Sequence, residues 1–392
     1  MKYLVVFSIT PVQAFIARAR KLRDFYAGSK ILSYLASVGF NAIKGEKLYP
    51  SADSNSMPNK FVFSIDAEDT KQVKSEMGRI EEVIKNAWLE LADITGVSKN
   101  CVDDYWNYSW AAVPYKKNYK EAHSKVQKLL AAMKLKPHKI RKSQAGEKCH
   151  LCGENSVWKE FDADKKDKRE KLCGVCTIKR DLPDLKTSIP KNHQLLNLLS
   201  KPEYSSTTKI SAHKFIKKYN LDKDEIAKLN DTNSDGRGNS LPNKERYYAL
   251  LAMDGDKMGD LVNTKITSEE HLELSKKLDS FDRKVENLSC FKGTAKLIYA
   301  GGDDVFAILP LEEAIAIAKE IRELYTDIVA KEEKTTSISA AIVIAHHKEP
   351  LREVIRDTHE VLDTIAKEKA GRDALAIRLK KRGGGDRDLF FK

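Results

Sequence analysis

The chain lacks any long hydrophobic run, and no apolar stretch reaches the roughly eighteen residues that a membrane-spanning helix needs. Its start, Met1-Lys2-Tyr3-Leu4, leads directly into a predicted strand and lacks the apolar region and cleavage site of a secretory signal. Cysteine is also scarce, with six residues in all. These absences argue against a membrane protein and against a secreted, disulfide-linked one. We therefore expect a cytoplasmic protein with no membrane partner.

Charged residues, by contrast, are abundant and unbalanced. Of the 392 residues, 41% are hydrophobic and 32% are charged, which is typical of a soluble globular protein, and the length allows two or three domains. The formal net charge is +12. An excess of this size suggests a polyanionic partner such as RNA, bound through phosphate contacts. The alternative is that evenly spread basic residues only favour solubility.

The segment Lys296–Leu309 contains two β-favouring apolar runs on either side of Gly301-Gly302-Asp303-Asp304. The two glycines tolerate positive φ and bring the backbone close to a ligand. Asp303 and Asp304 then lie side by side at a hairpin tip, where ionising both is costly unless a cation lies between them. Oxygen ligands of this kind suit Mg²⁺ or Mn²⁺. An ordinary glycine-aspartate hairpin turn is the alternative.

A second carboxylate follows another predicted buried strand, Tyr247–Met253, which ends at Asp254. A carboxylate at a strand end, next to a carboxylate pair on a neighbouring hairpin, is the arrangement of two-metal nucleotidyl transfer. One metal ion activates an attacking hydroxyl, and the other holds the triphosphate. The two stretches are roughly fifty residues apart, about enough for a crossover helix to bring the strands side by side.

Four cysteines form the strongest motif by spacing alone, in two C-x₂-C pairs separated by twenty residues. Cys149, Cys152, Cys173 and Cys176 are therefore expected to bind one Zn²⁺ in a closed, structural site. The charged loop between the pairs, Asp162–Lys171, is expected to be solvated. Cys101 and Cys290 are expected to be buried thiols.

The first third of the chain is predicted to follow a β-α-β-β-α-β order. Its strands are Tyr3–Ile9, a short one near Leu48, Phe61–Ile65 and one near Tyr105–Val113, and its helices start at Thr10, Asp69 and Tyr119. Thr10 is expected to cap the first helix, with Pro11 at the first helical position. Basic residues on the other faces of this helix are expected to be solvated: Arg18, Arg20, Lys21, Arg23 and Lys30.

The same order of elements starts again at Tyr247, which predicts an internal duplication within an α+β protein. Helices are predicted at Asn192–Leu199 and Ser211–Leu229, and Asn230–Lys244 is predicted to be a flexible linker. His346 and His347 are expected to be loop residues rather than ligands. The predicted domain boundaries are 1–140, 141–182, 183–246 and 247–392.

Near the end of the chain, the stretch Ala366–Asp373 places cations at a predicted helix end beside Gly371. Lys367 and Arg372 have two possible roles here. Their positive charges interact favourably with the dipole at the helix C-terminus, or they contact triphosphate oxygens, where a fixed positive charge stabilises the transition state.

Taken together, these motifs resemble the large subunit of type III CRISPR effector complexes, the Cas-ten family in its Cmr-type branch. The resemblance covers nearly the whole chain. Its anchors are Pro11–Ile16, Arg20–Asp24, Gly28-Ser29, Met57–Phe61, the four cysteines with Lys179-Arg180, Met253–Gly259, the GGDD hairpin, Ala366-Lys367 and Gly371-Arg372.

The resemblance implies two ferredoxin-like palm domains of the polymerase and cyclase class, with a zinc knuckle and a helical segment between them. It implies that the second palm joins ATP into cyclic oligoadenylates when a guide RNA pairs with target RNA, alongside other CRISPR effector subunits. Asp254, Asp303 and Asp304 would hold Mg²⁺ or Mn²⁺, with Asp256 a weaker candidate. Nucleotide and phosphate contacts would come from Gly255, Asp256, Lys257, Gly301, Gly302, Lys367 and Arg372. The Ala-Lys and Gly-Arg pairs are separated by three residues here, against two in the related GGDEF cyclases.

The resemblance also sets out what is expected to be missing or different. Family members carry an HD nuclease before the first palm and a helical domain after the second, and we expect this chain to lack both. The first palm is expected to be non-catalytic and to face Asp254 with Thr10–Phe15 and Arg18–Arg23, which would hold an acceptor ATP. The alternatives are a non-catalytic scaffold subunit of an RNA complex, or a cyclase or transferase that uses another acceptor.

Overall fold

The computed structural model describes residues 1–116, 118–135, 146–162, 169–185, 195, 199, 205–333 and 335–392. The chain divides into two compact units. The first comprises Met1–Ala19, Arg23–Pro202 and Val262–Lys276, and the second Arg20–Leu22, Glu203–Leu261 and Lys277–Lys392. The predicted helix Asn192–Leu199 lies largely outside the described residues. No described helix has both the length and the apolar composition that crossing a bilayer requires.

Helices and strands alternate along the chain in a mixed α+β order. The strands are β1 Lys2–Thr10, β2 Glu46–Tyr49, β3 Lys60–Asp66, β4 Asn107–Pro114, β5 Lys159–Asp162, β6 Arg169–Leu172, β7 Tyr247–Gly255, β8 Lys296–Gly301, β9 Asp304–Pro310, β10 Ile338–His346, β11 Leu375–Leu379 and β12 Arg387–Phe391. The helices are α1 Gln13–Ala17, α2 Leu22–Asn41, α3 Thr70–Ile94, α4 Tyr119–Lys134, α5 Gly174–Asp181, α6 Thr207–Ser211, α7 His213–Tyr219, α8 Lys223–Thr232, α9 Met258–Thr264, α10 Ser268–Glu286, α11 Ala314–Tyr325 and α12 Leu351–Glu360. Two wider π-helical stretches, Thr326–Ala330 and Val361–Lys369, continue α11 and α12.

The first unit contains a four-stranded antiparallel sheet in the order β2-β3-β1-β4. Its central strand β1 is buried from Tyr3 to Ile9, which explains its continuous apolar sequence. Helix α3 begins at the N-cap Asp69, whose carboxylate accepts from the N–H of Gln72 at 2.9 Å. Apolar residues at helical spacing form its buried face: Val73, Met77, Ile80, Ile84, Trp88 and Leu91.

The second unit contains a six-stranded sheet in the order β12-β11-β10-β7-β9-β8. Strand β7 pairs antiparallel with both β9 and β10, so it lies inside the sheet with neighbours on each side. Strand β11 pairs parallel with β10, and β12 pairs antiparallel with β11. Strand β12 was not predicted from the sequence, and all five of its residues are exposed.

The two sheets share one strand order. The order β10-β7-β9-β8 of the second unit repeats the order β4-β1-β3-β2 of the first, and both sets of strands are connected in a β-α-β-β-α-β sequence. Such a repeat of topology is what the predicted duplication requires.

The first helix does not begin at Thr10, so this prediction was wrong. Thr10 is the last residue of β1, and its hydroxyl donates to the carbonyl of Asn107 on β4 at 3.3 Å. Helix α1 begins later, with Val12 at the N-cap position and no side-chain cap. The helical conformation is interrupted between α1 and α2. The sequence predicted one long helix reaching Leu35, but the structure has two helices here.

The predicted linker Asn230–Lys244 begins within helix α8, which ends at Thr232, and continues as a hydrogen-bonded loop. Asp235 is buried at its centre, and its carboxylate accepts from the backbone N–H groups of Arg237 and Asn239 at 2.8 and 3.1 Å. Turn-forming residues here build a specific turn, because the aspartate supplies acceptors for the backbone.

The histidine pair lies where β10 ends, with His346 as the last strand residue and His347 in the turn that follows, and both side chains are buried. His347 shares hydrogen bonds of 2.9 Å with the Thr208 hydroxyl at Nδ1 and the Asn233 side-chain oxygen at Nε2. The His346 ring stacks on it with centroids 4.6 Å apart. Both imidazoles therefore serve packing of the second unit.

Candidate metal and nucleotide site

Asp254 and the GGDD hairpin lie on neighbouring strands of the second unit. Strand β7 pairs with β9 so that Met253 stands opposite Val305, one residue from each acidic group. Gly255, which follows Asp254, donates its N–H to the carbonyl of Asp303 at 3.2 Å. The predicted pairing of these strands is confirmed, and it places Asp254 next to the hairpin.

The close approach at Gly255 leaves no room for a side chain. A Cβ atom at this position would lie 2.8 Å from both Cβ and Oδ2 of Asp303, and 2.9 Å from Cγ of Met258. The glycine therefore lets the Asp303 carboxylate lie directly against the end of β7.

The tip of the hairpin is held from a helix that the sequence analysis did not connect with it. Gly302 has a φ of +76°, and its N–H donates to Oδ2 of Asp282 on α10 at 2.7 Å. Asp282 is 5% exposed, and no described residue donates a hydrogen bond to its other oxygen, Oδ1. Burial raises the pKa of Asp282 well above its usual value, and the charges of Asp279, Glu286 and Asp303 raise it further.

The carboxyl group of Asp304 is in a similar environment. Burial raises its pKa well above the usual value, and the neighbouring charges of Asp303, Asp282 and Asp363 act in the same direction. Ionising all of these groups together is unfavourable unless a cation compensates the charge.

Lys367 supplies the cation nearest to Asp254 in this structure. Its ammonium forms an ion pair with Oδ2 of Asp254, with 18% and 24% of the two side chains exposed. Burial lowers the pKa of Lys367, and the neighbouring Arg372 lowers it further. The two residues, about 110 positions apart in sequence, thus meet at one end of β7.

The side chain of Asp256, a weaker candidate for metal and nucleotide contacts, is buried. Its carboxylate accepts from the hydroxyls of Ser337 and Ser339 at 2.6 and 2.8 Å and from the N–H of Asp373 at 3.0 Å. Asp373 belongs to three consecutive residues with positive φ: Gly371, Arg372 and Asp373. Asp256 therefore ties the turn that carries Arg372 to the end of β7.

The remaining predicted contacts lie around this end of the sheet. Gly301 is the last residue of β8, and Lys257 follows β7 with a φ of +57° and an exposed side chain. Arg372 is also exposed. Their contacts with nucleotide stay predictions.

Asp282 is the main site residue that the sequence analysis missed, although a signal was present. Positions His271, Ser275, Leu278, Asp282 and Val285 share one face of α10, and all five are buried. An aspartate on the apolar face of a helix indicates a specific buried partner.

The four cysteines form the second candidate site, which lies in the first unit. Their sulfur atoms all lie within 4.8 Å of one another, and the Sγ atoms of Cys152 and Cys173 are 3.7 Å apart. Zn–S bonds of about 2.3 Å in a tetrahedron give S···S distances of roughly 3.8 Å. Among the described residues, no other set of three or more His, Cys, Asp or Glu side chains is close enough to share one metal ion. The predicted gathering of the four thiols is confirmed.

Helix α5, which contains Cys176, contacts the α1–α2 region through two buried cations. Lys179 donates to the carbonyl of Phe15 at 2.7 Å. Arg180 binds both oxygens of Asp24 at 2.6 and 2.8 Å, and also Glu170 at 2.8 Å. Glu170 was predicted to lie in a solvated loop, but it is buried because it completes this ion group. The residues 163–168 of that loop lie outside the described residues.

Two members of the basic run that follows α1 are engaged in ion pairs rather than solvated. Arg18 contacts Glu154, and Arg23 contacts Asp184 at 2.7 Å. Arg23 also donates to the carbonyl of Arg180 at 3.2 Å. These side chains are 18% and 23% exposed, so the solvated face predicted for them was wrong. The proposed contact of Arg20 and Arg23 with an acceptor ATP stays a prediction.

Comparison with known families shows which domains the two segments around these sites are similar to. A family model described as Cas10/Cmr2, second palm domain, matches residues 247–376, which contain Asp254, the hairpin and Arg372. A second model, CRISPR-associated protein Cmr2, N-terminal, matches residues 4–55. These two segments of the chain are thus similar to two domains of the Cas10/Cmr2 family. The Cas10/Cmr2 match places the candidate metal residues inside a recognised palm domain.

Individual relatives support the same assignment. The CRISPR system Cmr subunit Cmr2 of Pyrococcus furiosus is 24% identical over an alignment that covers 97% of this chain and 62% of the relative. The chain thus spans about three fifths of the length of that curated relative. A chain of the apo type III-B Cmr-beta structure matches with a TM-score of 0.70 and 13% identity, covering 97% of this chain and 70% of that one. A chain of the Csm1–Csm4 cassette in complex with cA4 matches with a TM-score of 0.55 and 11% identity, covering 99% and 56%. At these identities the solved structures establish the fold.

Proposed function

We propose that this chain is a metal-dependent nucleotidyltransferase that joins ATP into cyclic oligoadenylates. The observation that carries the proposal is the pairing of β7 with β9, fixed at its end by the bond from the Gly255 N–H to the Asp303 carbonyl. It brings a carboxylate from one strand end to a carboxylate pair on the adjacent hairpin. A turn without this function would not require a glycine opposite Asp303 or a buried aspartate behind Gly302.

The residues at this end of the sheet fit Mg²⁺ or Mn²⁺ by the chemistry of their donors. Asp254, Asp303 and Asp304 would hold the metal once their side chains rotate toward a common point, since their oxygens do not all lie within 4.8 Å of one another in this structure. Carboxylate oxygens are the ligands that these ions prefer. The raised pKa of Asp304 and the orphaned Oδ1 atom of Asp282 both indicate excess negative charge that a cation would compensate. When bound, the metal lowers the pKa of the attacking hydroxyl and stabilises charge on the phosphates.

The chain's own side chains would bind and orient the nucleotide. Lys367 is tied to Asp254 in this structure and would turn to phosphate oxygens when a metal takes its place. Arg372 is held by the turn that Asp256 anchors, and Lys257 follows the same strand end. The glycines Gly255, Gly301 and Gly302 would allow backbone atoms to approach the nucleotide.

The proposed substrate and partners rest on the relatives and on charge. Structures of the Csm1–Csm4 cassette include complexes with one ATP, pppApA and cA4. The Cmr-beta complex has been described bound to cognate target RNA. By analogy, this chain would act with guide RNA, target RNA and other effector subunits, and its net charge of +12 suits contact with RNA phosphates.

Two further parts of the proposal concern architecture. Both sheets would be palm domains, because they repeat one strand order, and only the second carries the acidic residues. The domain boundaries would be 1–140, 141–182, 183–246 and 247–392.

The four cysteines would bind one structural Zn²⁺. Elemental analysis of protein purified without chelator should give one zinc per chain, and a Cys176→Ser variant should lose it. Protein with no stoichiometric metal would refute the zinc site.

The catalytic proposal is tested by incubating the purified chain with ATP and Mn²⁺, alone and with guide and target RNA, and separating the products. The double variant Asp303→Ala with Asp304→Ala should give no product while keeping its fold. Undiminished turnover in the double variant would show that the hairpin is only a turn.

A scaffold subunit is the second candidate function, favoured by the +12 charge alone. RNA binding with no product under any condition would support it. Transfer of adenylate to an added second nucleotide, in preference to ATP, would instead indicate a transferase that uses another acceptor.

A further inference from the structure

We propose that Asp282 is a positioning residue of the metal site, and that its carboxylate fixes the hairpin carrying Asp303 and Asp304 by holding the Gly302 amide. The proposal deepens the function proposed above and depends on it for its catalytic consequence. The contact on which it rests is a property of the folded chain.

The hairpin tip is fixed at two points. On one side, the Asp303 carbonyl accepts from the N–H of Gly255 at the end of β7. On the other side, the Gly302 N–H donates to Asp282 at 2.7 Å. The two anchored peptide groups, Gly301–Gly302 and Asp303–Asp304, lie on either side of the Gly302–Asp303 segment, which carries the Asp303 side chain. Loss of either anchor would leave the carboxylates on a turn free to rotate.

The position of Gly302 makes the second anchor necessary. A residue with a φ of +76° leaves the strand ladder, so its N–H has no partner on a neighbouring strand. A buried N–H without an acceptor is costly, and Asp282 provides that acceptor from another element.

A purely structural role does not explain the choice of an aspartate. Asp282 is 5% exposed on a helix face formed by Leu278, Phe281 and Val285, where a neutral acceptor would satisfy the Gly302 N–H at lower cost than a carboxylate. Its Oδ1 atom receives no hydrogen bond from the described residues. A carboxylate kept in such a place, next to two acidic residues, indicates that its contact with the hairpin is used.

Two substitutions separate the hydrogen bond from simple packing. Asp282→Asn keeps an oxygen that can accept from the Gly302 N–H, whereas Asp282→Ala removes it. The matched control is Glu286→Gln, which removes a charge from the same helix one turn later. We expect Asp282→Ala to weaken Mn²⁺ binding by about 10–100-fold, the range found for residues that orient metal ligands, and the other two variants to change it less than about threefold.

Hydrogen exchange provides a readout that needs neither metal nor ATP. Peptides covering Tyr299–Phe306 should exchange faster in the folded Asp282→Ala variant and at the wild-type rate in Asp282→Asn. Thermal unfolding of each variant establishes that it is folded before the comparison.

The outcomes distinguish this proposal from the proposed function. If the wild type makes no product from ATP while Asp282→Ala still loosens the hairpin and weakens Mn²⁺ binding, the catalytic proposal fails and the positioning role stands. A lower melting temperature with unchanged exchange at the hairpin and unchanged Mn²⁺ affinity would assign Asp282 to the core alone. Equal loss in Asp282→Asn and Asp282→Ala would show that the amide contact is not what matters. Either result overturns the positioning role.

Discussion

Lys367 forms an ion pair with Asp254, the residue on which the proposed metal site depends. The lysine compensates the carboxylate in the absence of metal, and the two cations would compete for it. We expect Lys367→Met to raise Mn²⁺ affinity in the absence of nucleotide by about tenfold, because the competing charge is removed. Product formation from ATP should nevertheless fall by about 100-fold, because a fixed charge on the phosphates is lost.

Calorimetry with Mn²⁺ and product analysis measure these two effects. Lys369→Met is the control, since Lys369 lies two residues away with its ammonium 5.5 Å from the centre of the Phe390 ring. Weaker Mn²⁺ binding in Lys367→Met would contradict the competition.

Two neighbouring glycines should respond oppositely to alanine. At Gly255 the new Cβ would meet Asp303 and Met258 at less than 3 Å, so we expect Gly255→Ala to lower the free energy of unfolding by about 1–3 kcal/mol. Gly259 lies in helix α9, where a Cβ atom would have no neighbouring atom within 4 Å. Gly259→Ala should therefore raise the free energy of unfolding by up to about 1 kcal/mol. Urea denaturation followed by fluorescence compares the two. Equal stability of both variants would show that Gly255 is not confined as described.

Arg180 should be essential for stability of the first unit. Its removal in Arg180→Ala leaves Asp24 and Glu170 buried without their cation, which typically costs about 3–5 kcal/mol. Arg169→Ala is the matched control, because the Arg169–Glu160 pair is exposed and should contribute less than about 1 kcal/mol. Chemical denaturation of the two variants measures the difference, and similar losses would contradict this account.

The buried histidine His347 should make the second unit sensitive to mild acid. Burial, with the nearby charges of His346, Lys348, Arg246 and Arg382, lowers its pKa to about 3. The unfolded chain binds a proton near pH 6.5 and the folded chain does not, so stability falls as the pH drops from about 6.5 towards 3. At pH 5 the loss is about 2 kcal/mol.

Urea denaturation at pH 7 and pH 5 tests this pH dependence. His347→Gln should flatten it by about the same amount, because glutamine does not titrate. An equally steep dependence in the variant would assign the acid sensitivity to other groups.

Local sequence signals were sufficient for much of the fold. Apolar runs such as Tyr247–Met253 predicted the central strands, because a strand buried on both faces has few polar residues. The cysteine spacing predicted the thiol cluster, because each C-x₂-C pair already brings two sulfur atoms close together. The acidic hairpin was recognised from residues adjacent in sequence.

Contacts between distant segments could not be predicted in the same way. The ion pair of Lys367 with Asp254 and the bond from Gly302 to Asp282 depend on how helices pack on the sheet, which no local pattern encodes. The break after α1 was missed for a related reason. Thr10 has the sequence signature of a helix cap, but its hydroxyl bonds across the sheet to Asn107.

The order of strands has a consequence for synthesis of the chain. In each sheet the strand made first, β1 or β7, has neighbours on both sides, and both neighbours are made later. The β10 partner of Gly255 is made about eighty residues after it, which at ribosomal speeds is a delay of roughly 5–15 s. Until β9 is made, β7 presents two unpaired edges to other nascent chains, and the edge that pairs with β10 stays unpaired until Ile338 is made. The emerging polypeptide should therefore depend on chaperones most strongly between the synthesis of Gly255 and that of Ile338.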